Sequence, residues 1–256
     1  MISKYQDLKN KNVIITGGSG FIGKQISRAF LNQGSKVYVL DLKTFKSSRN
    51  LKYFKTDITD STKLQNVLAY LKKRKINIDI LINNAANDYK PNGKKISNLT
   101  LENFSNQLWD LDLNIGLKGS YLCTKVFGSY MAKKKSGIIL NVASDLGIIA
   151  PNQDLYNKKN FIKPVTYSVV KHGIIGLTKY TASYWAKKNI RCNAIAPGGI
   201  MNGQDTGFIK KINKLIPMGR MAKKNEYNDL ILFLCSKASS YMTGSIVVAD
   251  GGRTII

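Results

Sequence analysis

Short apolar runs alternate with longer stretches of helical spacing along all 256 residues, and this alternation limits the fold more than any other feature. The runs 12–16 (NVIIT), 36–40 (KVYVL), 78–82 (IDILI), 137–142 (GIILNV), 190–195 (IRCNAI) and 245–249 (SIVVA) are bounded by turn residues, and 51–56 is a weaker strand. Between them, 21–33, 61–74, 101–131, 166–188 and 224–236 place apolar residues at helical intervals. Strands that are apolar throughout need cover on both faces. The pattern therefore predicts an α/β fold: a doubly wound parallel sheet flanked by helices, of the Rossmann-like kind. No internal repeat, linker or second core interrupts it, so residues 1–256 read as a single domain. Two segments break the rhythm, 145–165 and 198–223. Both follow strands, and ligands in such sheets sit beyond the strands' carboxyl ends, so these segments are expected to form a substrate loop and a lid.

A hydrophobic content of 43% excludes a disordered chain. The net charge of +25 (40 Lys+Arg against 15 Asp+Glu) raises the question of nucleic acid. The lysines are scattered, however, with short clusters only at 72–75, 133–135 and 223–224 and no aromatic-interleaved basic stripe. Lysine, asparagine and isoleucine are abundant together, a skew that A/T-rich codon usage produces, so no specific nucleic-acid binding is expected. The N-terminal stretch carries no apolar signal region, and no apolar run is long enough to span a bilayer. A cytoplasmic protein with no membrane partner is expected. Cys123, Cys192 and Cys235 lie in apolar segments without metal-like spacing, which predicts buried reduced thiols and no metal site.

The first strand runs into TGGSGFIG, residues 16–23, and then into a helix. Gly17 allows a tight turn, Gly20 lets a phosphate approach the backbone, and Gly23 permits close helix packing. The helix N-terminus then faces a pyrophosphate. Asp41 ends the second strand roughly 20 residues further on, where a carboxylate accepts from ribose hydroxyls and repels a 2′-phosphate. That favours NAD over NADP, with Lys43 and Lys46 partly offsetting the repulsion. Asp57, after the third strand, either caps the helix beginning near Asp60 or reaches the adenine amino group.

Residues 166–171 read TYSVVK. Tyr167 and Lys171 are four apart, on one helical face. A free tyrosine, with a pKa of about 10, is a poor base at neutral pH, and a neighbouring ammonium stabilises its phenolate. Ser144 ends the strand IILNVA, where its hydroxyl can hold a substrate oxygen beside Tyr167. Asn114 is a poor helix former inside a mostly apolar helix. It is read either as surface-facing or as holding a water that passes protons to Lys171. His172 points about 100° away from Lys171 and is read as a packing or solvent contact.

The set TGGSGFIG, Asp57, NNAA (83–86), Asn114, Ser144 with Gly147, YSVVK (167–171), NAIAPGGI (193–200) and DGG (250–252) resembles the short-chain dehydrogenase/reductase family, colinear from about residue 10 to 252. The resemblance implies Tyr167 as acid/base, and Lys171 as the group that binds the nicotinamide ribose and lowers the tyrosine pKa. It implies Ser144 as the substrate-orienting residue and Asn114 as a relay. It also implies a dinucleotide site formed by Gly17, Gly20, Phe21, Ile22, Asp41, Asp57, Ile58, Asn84, Ala85, Ala86, Tyr167, Lys171, Pro197, Gly198 and Ile200. Three features depart from the family pattern. Gly20 falls one position before its usual place, as in the extended branch. Ser144 and Tyr167 are 23 positions apart, longer than usual. Met201 and Asn202 stand where a threonine commonly follows the PGG turn.

The resulting expectation is an NAD-dependent oxidoreductase moving a hydride to or from a hydroxyl or carbonyl carbon. An NAD-dependent epimerase or dehydratase, a 3-oxoacyl thioester reductase and a non-catalytic dinucleotide-binding protein are the alternatives. Lys210, Lys211, Lys214, Arg220, Lys223 and Lys224, with Lys158, Lys159 and Lys163, would favour an anionic substrate, and Asn152, Gln153, Tyr156, Asn157 and Asn160 one rich in hydroxyls. Further likeness to family members linked to bacterial surface-glycan and flagellin-sugar biosynthesis implies a sugar-derived substrate. Leu108, Trp109, Leu111, Leu113, Leu117, Tyr121 and Leu122 in 101–131 exceed what one sheet contact needs, and the family pairs such helices in homodimers or homotetramers.

Overall fold

The structure, a computed structural model, describes residues 5–87, 99–156 and 162–256. Seven strands form one parallel sheet in the order β3-β2-β1-β4-β5-β6-β7: β1 Asn12–Thr16, β2 Lys36–Asp41, β3 Leu51–Lys55, β4 Ile80–Asn83, β5 Gly137–Val142, β6 Ile190–Pro197 and β7 Ile246–Ala249. Every run expected as a strand is one, within one or two residues. The doubly wound α/β expectation holds.

Alternation along each strand sends neighbouring side chains to opposite faces. Val13, Ile15, Val37, Val39, Ile80 and Ile82 share one apolar core with Ile26 and Phe30 of α1 (Phe21–Asn32) and with Ile231 and Leu232 of α8 (Asn228–Leu234). Ile14, Leu40, Leu81 and Ile139 point the other way. They meet Leu64, Val67 and Leu71 of α2 (Ser61–Lys73) and Phe127 and Met131 of the third helical stretch. Both faces are dry, which is why the strands are apolar without alternation.

That third stretch runs as α3 (Asn106–Leu113), a π turn Asn114–Lys118, α4 (Gly119–Cys123), a second π turn Thr124–Gly128 and α5 (Ser129–Lys133). Leu113 and Leu117 turn inward to Val170 of α6 (Val165–Trp185), and Leu122 is buried. Leu111 and Tyr121 stay exposed, so only part of the expected surplus apolar face remains outside.

The sequence reading placed no helix within 198–223, but α7 (Thr206–Asn213) forms there, with Asp205 accepting from the Phe208 N–H as its N-cap. Ile212, Ile216 and Met221 pack on Leu155, and the Tyr156 and Phe208 rings lie 5.6 Å apart. Lys211 Nζ donates to the Asp154 carbonyl at 3.1 Å. The described parts of 145–165 and 198–223 thus close on each other. Asn157, Lys158, Lys159 and Asn160 lie outside the described residues.

Candidate active site

The chain winds outward from β1 to β2 and β3, then crosses back to β4. The crevice between the carboxyl ends of β1 and β4 is where such sheets bind ligands. A cleft of about 1100 Å³ opens there and continues past β5 and β6.

Its first half is built by the glycine turn. Gly17 has φ +64°, and a Cβ there would sit 2.8 Å from the Ala85 Cα. A Cβ on Gly23 would sit 2.2 Å from the Gly17 carbonyl oxygen, so the helix can start this close to the turn only without a side chain. Gly20 is the N-cap of α1, whose first N–H groups, on Phe21 and Ile22, have no intrahelical partner and face the cleft. The NNAA stretch anchors the turn from the neighbouring strand. Asn84 Nδ2 donates to the carbonyls of Thr16 (3.0 Å) and Gly17 (3.2 Å), and Thr16 Oγ1 accepts from the N–H groups of Asn84 and Ala85. Asn83 turns into the sheet instead, donating to Thr124 Oγ1 and Asn141 Oδ1.

Asp41 lies at the rim of this half. Its carboxylate accepts from the Ser19 N–H at 3.0 Å and the Lys43 N–H at 2.9 Å, tying the end of β2 to the glycine turn. Asp57 does not cap the following helix. Its Oδ1 accepts from the Thr59 N–H and hydroxyl, while Asp60 caps α2 through the N–H groups of Thr62 and Lys63. Asp57 and Ile58 therefore line the cleft wall.

The second half brings the four candidate reacting residues together. Ser144 leaves β5 and is 4% exposed; the Tyr167 hydroxyl donates to its Oγ at 3.4 Å. Lys171, one turn along α6, has its Nζ 5.7 Å from the Tyr167 ring centre and donates to the Val142 carbonyl at 2.8 Å. Asn114 opens the π turn of the facing helix and is among the residues that line the cleft. π turns cluster at functional sites, which accounts for a poor helix former at this position. His172 is exposed, with Nδ1 against the Ser168 carbonyl and outside the cleft lining.

Pro197, Gly198 and Ile200 border this end. Where the family's threonine is missing, Gln204 folds back: its Nε2 donates to the Ile200 carbonyl at 2.8 Å and its Oε1 accepts from the Asn202 N–H at 2.7 Å. Its amide side chain borders the cleft.

The expected basic lid needs correction. Lys210, Lys211, Lys214, Arg220, Lys223 and Lys224 are exposed and none lines the cleft. Arg220 forms a two-point ion pair with Glu226 (2.8 and 2.6 Å), which holds the Glu226 carboxyl down at about 2. On α7, the face carrying Phe208 and Ile212 packs inward, and that leaves the helix's lysines to solvent. At the reacting end the bordering cations are instead Lys163, Lys171 and Arg253. Lys163 Nζ lies 3.6 Å from the Tyr167 ring centre. Burial, the largest influence, raises the Tyr156 pKa, against Lys163 and Arg253, which lower it. Sequence reasoning missed Asp145, Arg253 and Asp112. Asp112, buried on α3, accepts from Asn87 (2.9 Å) and from Thr166 beside the candidate tyrosine. Nothing local in the sequence marks these three, because the pairs Asn87–Asp112, Asp112–Thr166 and Asp145–Arg253 span 25 to 108 positions.

A family model described as enoyl-(acyl carrier protein) reductase matches residues 19–254. The chain belongs to the short-chain dehydrogenase/reductase family. This family member is 31% identical to a 3-oxoacyl-(acyl-carrier-protein) reductase of Thermotoga maritima, over 97% of this chain and 99% of that protein. It is 30% identical to a 2-dehydro-3-deoxy-D-gluconate 5-dehydrogenase of Bacillus subtilis, over 96% and 95%. A short-chain dehydrogenase from Leptospira borgpetersenii, solved with bound NAD+, superposes with a TM-score of 0.87 at 31% identity, covering 99% of this chain and 97% of that one. The chain is thus an oxidoreductase of this family. Among the described residues, no helix is long and apolar enough to cross a membrane.

Proposed function

We propose that this oxidoreductase uses a nicotinamide dinucleotide, NAD in preference to NADP, to interconvert a hydroxyl and a carbonyl on a sugar-derived anionic substrate. The cradle fits the cofactor: the glycine turn leaves no side chain in the way, α1 offers free N–H groups for a pyrophosphate, and Asp41 keeps acceptor capacity after its two backbone bonds. A bound nicotinamide supplies the hydride acceptor or donor. The chain's own residues manage the oxygen and its proton. Tyr167 exchanges the proton, Lys171 and Lys163 place positive charge at its ring, Ser144 orients the substrate oxygen, and Asn114 holds a relay water.

The observation that carries the substrate reading is the lining at the reacting end. Asn87, Asn202, Gln204, Tyr156 and Lys163 supply amides, a phenol and a cation, beside the Asp145–Arg253 ion pair. Such a wall suits a ligand with many hydroxyls and a negative group better than an acyl chain. The similarity to the sugar-acid dehydrogenase of Bacillus subtilis supports it. The similarity to the Thermotoga maritima acyl thioester reductase favours a second reading, 3-oxoacyl thioester reduction.

Purified protein with NAD or NADH, screened against sugar alcohols, sugar acids, nucleotide sugars and hydroxyacyl or oxoacyl thioesters, separates the two. Turnover confined to the acidic sugars is expected, with KM raised by Lys163→Ala and unchanged by joint loss of Lys210, Lys211 and Lys214. Turnover of thioesters alone would reject the sugar reading. Association into a homodimer or homotetramer is part of the same proposal, supported by the exposed Leu111 and Tyr121 beside Val169, Tyr180 and Tyr184 of α6.

A further inference from the structure

The end of the chain reaches back to the reacting residues. Asp250 accepts from the N–H groups of Gly252 (2.9 Å) and Thr254 (2.7 Å), curling the tail into the turn Arg253–Ile255. Arg253 is thereby directed inward, 5% exposed, and its Nη1 donates to Asp145 Oδ2 at 2.7 Å. Asp145 is equally buried and directly follows Ser144. Its other oxygen, Oδ1, accepts from the Ser144 hydroxyl and from the Leu146 N–H, both at 2.8 Å.

The direction of these bonds follows from chemistry. A carboxylate paired with a guanidinium is an acceptor at both oxygens. The serine proton therefore goes to Asp145, and Oγ, with its proton committed, accepts from Tyr167 at 3.4 Å. A buried, charge-assisted bond of this kind is stronger than a neutral one and is not given up cheaply.

Resting on the assignment of Tyr167 as the proton carrier, we propose that Asp145, held by Arg253, is a positioning residue that orients the Ser144 hydroxyl and so favours Tyr167 in its O–H form. A phenolate at Tyr167 needs a donor, and Ser144 supplies one only by breaking its bond to Asp145. The cations facing the ring act in the opposite sense: Lys163 at 3.6 Å from the preceding segment and Lys171 at 5.7 Å on α6 both stabilise phenolate. Tyr156 lines the same end, and the Asp145–Arg253 pair closes it. The tyrosine is therefore poised between two lysines that draw its proton off and a Ser–Asp–Arg chain that keeps it on.

The test is a titration by ¹³C NMR of the full chain labelled at tyrosine Cζ, with the Tyr167 signal identified by its loss in Tyr167→Phe. Asp145→Leu/Arg253→Met removes both charges and the acceptor of the Ser144 proton together, so neither charge is left buried and unpaired. In the Ser144 background the Tyr167 midpoint is expected to fall by about half to one pH unit, roughly three- to tenfold in ionisation, and in the Ser144→Ala background by less than about 0.2 unit. Equal falls in both backgrounds, or no fall in either, would overturn the proposal, because the pair would then act by charge alone or not at all. If that variant does not fold, Asp145→Ala/Arg253→Ala, which also removes both charges and the acceptor, is read in the same cycle. The titration needs neither cofactor nor substrate, so its failure leaves the assigned reaction untouched, and an incorrect reaction leaves the titration readable.

Discussion

Tyr167 and Asp41 each turn a residue-level contact into a measurable preference. Tyr167→Phe removes the proposed proton carrier and keeps the ring over which Lys163 lies. Turnover on the substrate returned by the screen should drop by roughly 10²–10⁴, with NADH binding by fluorescence near normal. Wild-type turnover in that variant would sink the mechanism. Asp41→Ala removes the carboxylate that braces Ser19 and Lys43 and that is proposed to accept from the ribose. NAD binding should weaken about tenfold while NADP binding improves relative to it, measured by calorimetry. A wild type that already prefers NADP by a wide margin would mean that Lys43 or Lys46 dominates. The three cysteines illustrate the opposite case. Burial pushes the Cys192 and Cys235 thiols up to about 12, and Cys123 is raised by burial too, so none should react with a thiol reagent at neutral pH while the chain is folded.

At the scale of elements, the site depends on how closely two helices approach. Gly116, within the first π turn, lies against Val170 of α6, and an added Cβ would come 2.5 Å from Val170 Cγ1. That contact sits between Asn114 on one helix and Tyr167 and Lys171 on the other. Gly116→Ala is expected to destabilise the fold by about 1–3 kcal/mol through overpacking, and Gly116→Ala/Val170→Ala to recover most of it. Thermal unfolding of both variants checks this, and equal melting temperatures for wild type and Gly116→Ala would show that the helices separate without cost. The Asp145–Arg253 pair ties the tail to β5 in a similar way. Arg253→Met, which strands a buried carboxylate, should cost about 3–5 kcal/mol, and Asp145→Leu/Arg253→Met much less.

Across the whole molecule, the exposed Leu111, Tyr121, Val169, Tyr180 and Tyr184 lie on two helices of one face, α3–α4 and α6. Light scattering at micromolar concentration should give two or four times the 28.5 kDa chain mass, and a monomer would refute the association. The sequence by itself determined the sheet, its helical cover, the glycine turn and the Tyr167–Lys171 pair. Each of these is written in a local period: dry strands in short apolar runs, a turn in adjacent glycines, a shared helical face in a four-residue step. It also singled out Asn114 and Ser144 by position, one as a helical misfit and the other as the end of a strand. Only the tertiary structure decided which charges meet. The lid cations looked like an anion site because they are close in sequence, but α7 buries its apolar face and turns Lys210 and Lys211 to solvent, and Arg220 pairs with Glu226. Arg253 and Asp145 are 108 positions apart and neither stands out locally. They meet because the turn after β7 and the turn after β5 both lie at the carboxyl edge of one sheet, a juxtaposition set by strand order and helix packing rather than by any pattern along the chain.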